Sequence, residues 1–281
     1  EAEFAELKDG PMTLTEEEVA RIQGCFTEPA YRDDVDSGVL DKALQENRAF
    51  NRWYHTNTRA HKRDGYRSVT LTLKKTGRIP GDVSDEQLEA IADLADRYSF
   101  GELRNTHQQN MVLSDVATDD LFELWEKLDA LGMATPNLGL LTDIVACPGG
   151  DLCALANAKS VPVAEGIQRR FDDMDYVHDL GPLDINISGC MNACGHHHIG
   201  HIGILGVDKK GKEFYQITLG GRGDKLSRIG EKMGPSFESY EVTDVIEKII
   251  NVYVDKRLEN EPFIDTYERI GMEPFKEHVY G

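Results

Sequence analysis

The sequence has no long hydrophobic run and little cysteine. No stretch of 18 or more apolar residues occurs, so no membrane-spanning helix and no membrane partner are expected. Five cysteines in 281 residues are too few for a disulfide-rich secreted scaffold. The chain begins at Glu1 without a charged and hydrophobic leader. A reducing, cytoplasmic location is therefore expected, and the opening residues are interpreted as a fragment or processing boundary.

Positive charge is also scarce. Lys and Arg number 31 against 50 Asp and Glu, which gives a formal net charge of −19. Nucleic acids bind to basic faces, so nucleic acid is not expected as a partner. The overall field would also repel an anionic substrate rather than steer it to the protein. Capture of an anion would therefore need a local group of Arg and Lys side chains.

Four of the five cysteines lie in two glycine-flanked pairs. Cys147 and Cys153 are six apart in ACPGGDLCALANA (146–158), and Cys190 and Cys194 are four apart in NISGCMNACGHHHIGHIGILG (186–206). The first spacing is wider than that of zinc knuckles, whereas a [4Fe–4S] cube takes one thiolate per iron and accepts wide, unequal spacings. Glycine lets backbone approach a bulky anionic cluster closely. An iron–sulfur cluster is the favoured interpretation, and the isolated Cys25 is expected to be incidental.

Three other interpretations of the cysteines remain open at this point. They are two disulfides, buried thiols without a ligand, and a zinc site assisted by histidine. Four histidines follow closely, at His196, His197, His198 and His201. Consecutive residues on a strand point to opposite faces, so all four are not expected to converge on one ion. We expect one or two to contact a cofactor or donate protons.

Four motifs together resemble the nitrite/sulfite reductase family. The pattern CPGGDLC followed by GCMNACG is similar to the family's cluster-binding signature. GELRNTHQQN (101–110) resembles its R-x-T-x-x-Q-N segment, HHIGHIGILG (197–206) its glycine-rich strand after the last cysteine, and LGG (219–221) a further landmark. The resemblance covers residues 45–281.

The resemblance implies a siroheme coupled to a [4Fe–4S] cluster and the six-electron reduction of sulfite to sulfide, as in assimilatory sulfite reductases. Nitrite reduction to ammonia is the alternative within this class, and a non-catalytic iron–sulfur or zinc module is the alternative outside it. Full-length members have two pseudo-symmetric halves, and this chain resembles the C-terminal one. The expected partners are sulfite or nitrite, a ferredoxin or flavoprotein electron donor, and the missing N-terminal half. That half carries most of the family's anion-binding Arg and Lys residues, so activity is expected of the complete enzyme.

The resemblance also implies roles for individual residues. Cys147, Cys153 and Cys190 would bind the cluster only, and Cys194 would bind it and ligate the siroheme iron as the catalytic bridge. Siroheme carries eight carboxylates, which need cationic and amide partners. The candidates are Arg104, Thr106, Gln109, Asn110 and Asn192. A surface ion pair is the alternative for Arg104, and a turn position is the alternative for Asn192.

The expected fold is α+β, with a ferredoxin-like half-domain followed by an α/β domain that binds siroheme and the cluster. Three segments are expected: an N-terminal helical segment or linker at 1–50, the half-domain at 51–135, and the cofactor domain at 136–281. The half-domain prediction rests on strand, helix, strand and helix patterns between residues 66 and 133, which fit a split βαβ unit. The segment 101–116 is expected to be a strand or hairpin.

Helical periodicity predicts helices at 16–23, within 37–48, at 85–99 and at 118–133. Their candidate N-caps are Thr13 or Thr15, Ser37 and Ser84, and Leu88 is expected on a buried face. Around the cysteines, a helix within 152–174 is expected to hold Cys153 in its first turn and to break at Pro162. A strand at 183–189, a hairpin of 201–208 and 213–220, and a closing helix at 238–259 complete the prediction.

Overall fold

The structure, a computed structural model, describes residues 1–10 and 13–281, which form two compact units, 1–34 and 35–281. In the first unit, helix α1 spans Ala2–Leu7 and α2 spans Glu16–Gln23. Thr15 is the N-cap of α2, as predicted, because its side chain accepts a hydrogen bond from the Glu18 backbone N–H at 3.2 Å. Neither helix contains a buried residue, and Cys25 is exposed.

The second unit begins with a four-stranded antiparallel sheet and its helices. Helices α3 (Ser37–Glu46) and α4 (Arg48–Asn57) lead into strands β1 (Thr58–Ala60) and β2 (Tyr66–Leu71). Helix α5 (Asp85–Tyr98) follows, then the hairpin of β3 (Leu103–Asn105) and β4 (Met111–Ala117), and helix α6 (Leu121–Ala130). The strand order is β1–β2–β4–β3.

This topology is ferredoxin-like, as predicted. Strand β4 pairs antiparallel with both β2 and β3, so β2 and β3 run parallel to each other with β4 between them. Helix α5 connects β2 to β3, which makes the segment a split βαβ unit. The core of this part contains fully buried Phe50, Trp53 and Leu113. Since Phe50 lies on α4, the N-terminal helices from residue 35 onward share this core; the predicted segment boundaries at 50 and 135 stay predictions.

The rest of the second unit is built on a mixed five-stranded sheet. Strands β5 (Val145–Ala146), β6 (Ile185–Ser188) and β7 (Ile202–Asp208) are parallel, and β8 (Glu213–Leu219) and β9 (Glu231–Lys232) add antiparallel strands in sequence order. Helices α7 (Val161–Arg170) and α8 (Met174–Leu180) connect β5 to β6. The C-terminal helices are α9 (Ser239–Lys256), α10 (Phe263–Ile270) and α11 (Glu273–Tyr280).

Several predicted details are corrected. Asp36 rather than Ser37 is the N-cap of α3, because its carboxylate accepts the Gly38 N–H at 2.8 Å. Leu88 was expected to be buried with Ile91, but it is 44% exposed, whereas Ile91 is fully buried. Helix α9 does not close the chain, since α10 and α11 follow it. Within the described residues, no helix is long and apolar enough to cross a bilayer.

Candidate cofactor site

Cys147 lies at the carboxyl end of β5, where the parallel strands point toward the two cysteine loops. Its backbone N–H donates to the Ile187 carbonyl at 3.1 Å. Its buried Sγ accepts a hydrogen bond from the Gly189 N–H at 3.0 Å and lies 3.4 Å from the Ser160 hydroxyl. Backbone N–H groups directed at sulfur stabilise a thiolate. The first cysteine is therefore held in an environment that suits a metal-bound, anionic sulfur.

The two cysteine loops are hydrogen-bonded to each other. The N–H groups of Asn157 and Ala158 donate to the Gly189 carbonyl at 2.9 and 3.0 Å. Gly149 turns the first loop with φ of +60°, and a Cβ there would lie 2.4 Å from the Ser160 nitrogen. Only glycine fits this turn without displacing the neighbouring backbone. The sequence therefore brings loops that are 37 positions apart into direct contact.

Cys190 and Cys194 lie in a tight turn after β6. Cys190 is buried and Cys194 is exposed. The Ala193 N–H donates to the Cys190 carbonyl at 3.1 Å, and the Gly195 N–H donates to the Ser188 hydroxyl at 3.1 Å. A Cβ on Gly195 would lie 1.9 Å from the backbone oxygen of Ile187, which is in β6. The turn is therefore fixed by close backbone packing, with one thiol inside and one at the surface.

Cys153 is not in a helix, which corrects the sequence prediction. It follows a 3₁₀ turn at Gly149–Asp151, and its N–H donates to the Gly149 carbonyl at 2.9 Å. Helix α7 starts only at Val161, with Pro162 in its first turn. Proline is favoured there because the first helical N–H groups have no partner within the helix. Pro162 thus begins the helix instead of breaking it, and Cys153 gains nothing from a helix dipole.

The described residues contain neither a disulfide nor a group of ligands that converges as in a zinc site. None of the five cysteines, all within the described residues, forms a disulfide. In the part of the chain that the structure describes, no three His, Cys, Asp or Glu side chains converge as ligands of one ion. Zinc needs such convergence, whereas the thiolates of a cube each bind a different iron and stay further apart.

The histidines after Cys194 do not lie on a strand, so that part of the prediction was wrong. His196 has a left-handed backbone, and a 3₁₀ turn covers His197–Ile199. His197 is buried, and this burial, with a smaller effect of His198, lowers its pKa to about 4. Burial also lowers the pKa of His201, opposed by Asp184. Without a negatively charged partner beside it, His197 is therefore neutral at neutral pH.

Arg104 and Thr106 have protein partners. Arg104 is exposed and pairs with Glu102 at 2.6 Å, which was the alternative considered from the sequence. The Thr106 N–H donates to the Asn110 carbonyl at 2.9 Å, and its hydroxyl accepts the Asn110 N–H at 3.1 Å. Thr106 therefore closes the β3–β4 turn. Asn192, between the last two cysteines, is exposed.

Gln109 and Asn110 are directed at the segment that leads to Cys147. The Gln109 side-chain amide donates to the Ala146 carbonyl at 2.7 Å and accepts the Ala146 N–H at 3.0 Å. The Asn110 amide donates to Asp143 at 3.0 Å, while its oxygen accepts the Leu73 N–H at 3.0 Å. These two amides connect the ferredoxin-like part to the cysteine-bearing part.

Lys74 joins the same contact and was missed by sequence reasoning. Its side chain is fully buried, and its ammonium group donates to the carbonyls of Gln108 and Ile144 at 2.9 and 2.8 Å and lies 3.4 Å from Asp143. Burial lowers the pKa of Lys74 and raises that of Asp143, each opposed by the charge of the other. The only sequence signal was a lysine soon after the alternating apolar residues of the predicted strand; in the structure it lies three residues beyond the end of β2.

The cysteine loops expose large apolar side chains. Leu152 precedes Cys153 and is 79% exposed, Leu155 is 72% exposed, and Met191 follows Cys190 and is 82% exposed. Exposed apolar side chains on both cysteine loops offer a surface on which an apolar group can pack. A flat macrocycle bound beside the exposed Cys194 would do so. These loops therefore fit a siroheme as well as a cluster.

A cavity of about 500 Å³ lies at the other end of the parallel strands. It contains no cysteine and none of Arg104, Thr106, Gln109, Asn110 and Asn192, but two of the four histidines considered from the sequence line it. Its lining includes Arg59, His107, Asp143, Asn186, His196 and His201. The cavity is therefore lined by His196, two residues after Cys194, and by Asp143, which also makes the buried contact with Lys74.

Comparison with known families agrees with this geometry. The sequence model described as the nitrite and sulphite reductase 4Fe-4S domain matches residues 140–281, and the nitrite/sulfite reductase ferredoxin-like half domain matches residues 60–131. The chain belongs to the nitrite and sulphite reductase family. The family's cofactors, a [4Fe–4S] cluster and siroheme, are those expected from the cysteine motifs, and this expectation is confirmed. The predicted fold class is likewise confirmed.

Individual members of the family are similar over most of this chain. A sulfite reductase [ferredoxin] 2 of Mycolicibacterium paratuberculosis is 33% identical over 195 residues, 66% of this chain and 35% of that protein. A chloroplastic ferredoxin–nitrite reductase of Zea mays is 28% identical over 246 residues, 78% of this chain and 40% of that protein. The solved structure of NirA from Mycobacterium tuberculosis superposes with a TM-score of 0.64 at 29% identity, covering 79% of this chain and 41% of that one. The chain thus spans well under half the length of these relatives.

Proposed function

We propose that this chain is the cluster-bearing part of a sulfite reductase that converts sulfite to sulfide. Cys147, Cys153, Cys190 and Cys194 would bind the [4Fe–4S] cluster, and Cys194 would also ligate the siroheme iron. The electron donor would be a ferredoxin, as the names of the similar sulfite and nitrite reductases state for those proteins. The anion-binding side of the site would come from the complementary half of the enzyme.

The observation that carries this proposal is the different exposure of the four thiols. Cys147 and Cys190 are buried, Cys153 is half-buried, and Cys194 is exposed. A thiolate at the surface can bind the cluster on one side and a second metal centre on the other. Met191, three residues before Cys194, offers an exposed apolar surface to a macrocycle. The exposed cysteine is therefore the one suited to the bridging role.

The residues of this chain would hold and tune the cofactors rather than react themselves. When bound, siroheme and the cluster supply the storage and transfer of single electrons that a six-electron reduction needs. The Gly189 N–H and the Ser160 hydroxyl would stabilise the Cys147 thiolate. Asn192, exposed between the last two cysteines, would be free to donate its amide to a siroheme carboxylate.

An anaerobic absorption spectrum with iron and zinc analysis of the purified chain tests the proposal. We expect iron at about four or five per chain, with siroheme bands in the red. Iron without tetrapyrrole bands would mean that siroheme binding needs the complementary half, and the siroheme assignment to this chain alone would fail. Zinc without iron would contradict the redox function and leave a structural metal site.

The bridging role of Cys194 has its own test. In the complete enzyme, Cys194→Ser is expected to abolish sulfite reduction and to remove the magnetic coupling between siroheme and cluster in electron paramagnetic resonance spectra. Cys25→Ser is the matched control, because Cys25 is exposed and lies outside both cysteine loops. It should change neither the spectrum nor the rate. Wild-type turnover in the Cys194 variant would remove this residue from the bridging role.

Nitrite reduction to ammonia is the second candidate, supported by the match to the Zea mays nitrite reductase over 78% of this chain. Steady-state rates of the complete enzyme with sulfite and with nitrite, measured with the same reduced donor, decide between them. A higher kcat/KM for sulfite is expected. A higher kcat/KM for nitrite would make nitrite the principal substrate.

A further inference from the structure

The segment immediately before Cys147 is held by three side chains from the ferredoxin-like part of the chain. We call Lys74, Gln109 and Asn110 the clamp. Lys74 and Asn110 bind the Asp143 carboxylate, and Lys74 also donates to the Ile144 carbonyl at 2.8 Å. Gln109 binds Ala146, the residue that precedes Cys147. The backbone that leads to Cys147 is therefore held in place by side chains of the ferredoxin-like part.

Gln109 makes the contact nearest to the cysteine. Its backbone has φ of 59°, a left-handed conformation that turns the side chain out of the β3–β4 hairpin. Its amide then pairs with both backbone groups of Ala146, at 2.7 and 3.0 Å, as a neighbouring strand would. This pairing continues the β5 edge with a side chain. Both polar atoms of the amide are engaged there.

We propose that Gln109 is a positioning residue for the iron–sulfur cluster, acting through Ala146 on Cys147, and not a siroheme contact. The proposal rests on the proposed function, since it requires that Cys147 binds the cluster. Two backbone hydrogen bonds to Ala146 restrict the direction in which the next residue leaves the strand. Gln109 would thereby fix where the Cys147 thiolate meets the cluster.

The expected consequence is electrochemical. The Cys147 sulfur accepts the Gly189 N–H at 3.0 Å and lies 3.4 Å from the Ser160 hydroxyl. Hydrogen bonds to a ligating sulfur stabilise the more negative, reduced cluster and raise its reduction potential. If the pairing to Ala146 is lost, Cys147 moves more freely and these bonds weaken. The potential should then fall and the cluster should be lost more readily.

The test compares two variants of Gln109 with a neighbouring control. Gln109→Ala removes both bonds, whereas Gln109→Glu keeps the shape and can still accept the Ala146 N–H but cannot donate to its carbonyl. Gln108→Ala is the control, because Gln108 is exposed in the same turn and its side chain makes none of the clamp contacts. Each is purified anaerobically with its cofactors. The measurements are iron loss to a chelator, the cluster midpoint potential, and the siroheme absorption.

We expect iron loss from Gln109→Ala to be about tenfold faster than from the wild type, as is typical when a partner of a metal ligand is removed. Gln109→Glu should lose iron at least as fast, because its carboxylate would face the Ala146 carbonyl that the Gln109 amide contacts at 2.7 Å, and Gln108→Ala should match the wild type. The midpoint potential should fall in both Gln109 variants, while siroheme per iron stays constant. If the alanine variant does not fold, the isosteric Gln109→Glu decides the question by the same measurements.

Three results would overturn the inference. Loss of siroheme from the Gln109 variants, with iron loss and potential unchanged, would make Gln109 a siroheme contact. Equal effects in the Gln108 control would show only a general response of the turn. Absence of iron from the wild-type protein would overturn the proposed function itself, and the positioning role with it.

Discussion

Lys74→Met should destabilise the protein strongly, because it removes the buried charge at the centre of the clamp. The Lys74 side chain has no exposed surface, and Asp143 faces it at 3.4 Å. Methionine fills nearly the same space but offers no hydrogen bond and no charge. The Asp143 carboxylate would keep its bonds from Asn110 and the Gly139 N–H. It would lose the positive charge of Lys74, which faces it at 3.4 Å.

The size of the effect follows from the groups left unpaired. Removing one partner of a buried ion pair costs about 3–5 kcal/mol. The carbonyls of Gln108 and Ile144 also lose their donor, at about 1–3 kcal/mol for each group that stays unsatisfied. These contributions share one site and do not add fully, so we expect about 4 kcal/mol in total. At roughly 2–4 °C per kcal/mol for a domain of this size, Tm should fall by about 10 °C.

The loss should depend on pH in a defined direction. Burial raises the pKa of Asp143 above its ordinary value, opposed mainly by Lys74. A carboxyl group with a raised pKa binds more protons in the folded state, so stability falls as pH rises from its unfolded to its folded pKa. Removing Lys74 raises the folded pKa of Asp143 further and widens this window. The loss of unfolding free energy caused by Lys74→Met should therefore be larger at pH 8 than at pH 5.

Thermal unfolding followed by circular dichroism, at both pH values and equal cofactor content, measures this effect. Lys75→Met is the control, because Lys75 is the next residue and is exposed; its change should stay within about 0.5 kcal/mol. A deficit for Lys74→Met no larger than that of the control would refute the reasoning. So would a deficit that is larger at pH 5 than at pH 8.

Three further predictions concern single residues. Gly195→Ala should destabilise the protein by about 3 kcal/mol or more in thermal unfolding, because its Cβ would lie 1.9 Å from the Ile187 carbonyl oxygen; an unchanged Tm would contradict the packing of this turn. Met191→Asp should remove the siroheme absorption while iron stays at about four per chain, whereas retained siroheme would contradict the proposed apolar contact. Asp36→Ala should lower the free energy of unfolding by about 1 kcal/mol and Ser37→Ala by much less. The reverse order would restore Ser37 as the N-cap of α3.

Much of the fold was predictable because local patterns determine it. Ser84 accepts the Gln87 N–H at 3.1 Å in a capping box that begins α5, and the alternating stretches at 202–208 and 213–219 form a hairpin. The errors arose where two local signals compete. Asp36 and Ser37 are both good N-caps, and only the backbone shows which is used. Pro162 is compatible with a break or a first turn, and the loop before it decides between them.

The four candidate cysteine ligands could be named from the sequence, and their assignment stays a prediction, whereas their surroundings could not be named, for a physical reason. Cysteine is rare enough that its spacing alone indicates a cluster, whereas amides and lysines serve many purposes. Gln109 binds a residue 37 positions away and Lys74 one 69 positions away. No periodicity encodes which backbone groups remain unpaired where two domains meet. Gln109 and Asn110 were assigned to siroheme because its carboxylates need polar partners. The unpaired backbone groups at the edge of β5 need partners as strongly. Buried backbone groups need partners, and in this protein both amides supply them, Gln109 to Ala146 and Asn110 to Leu73.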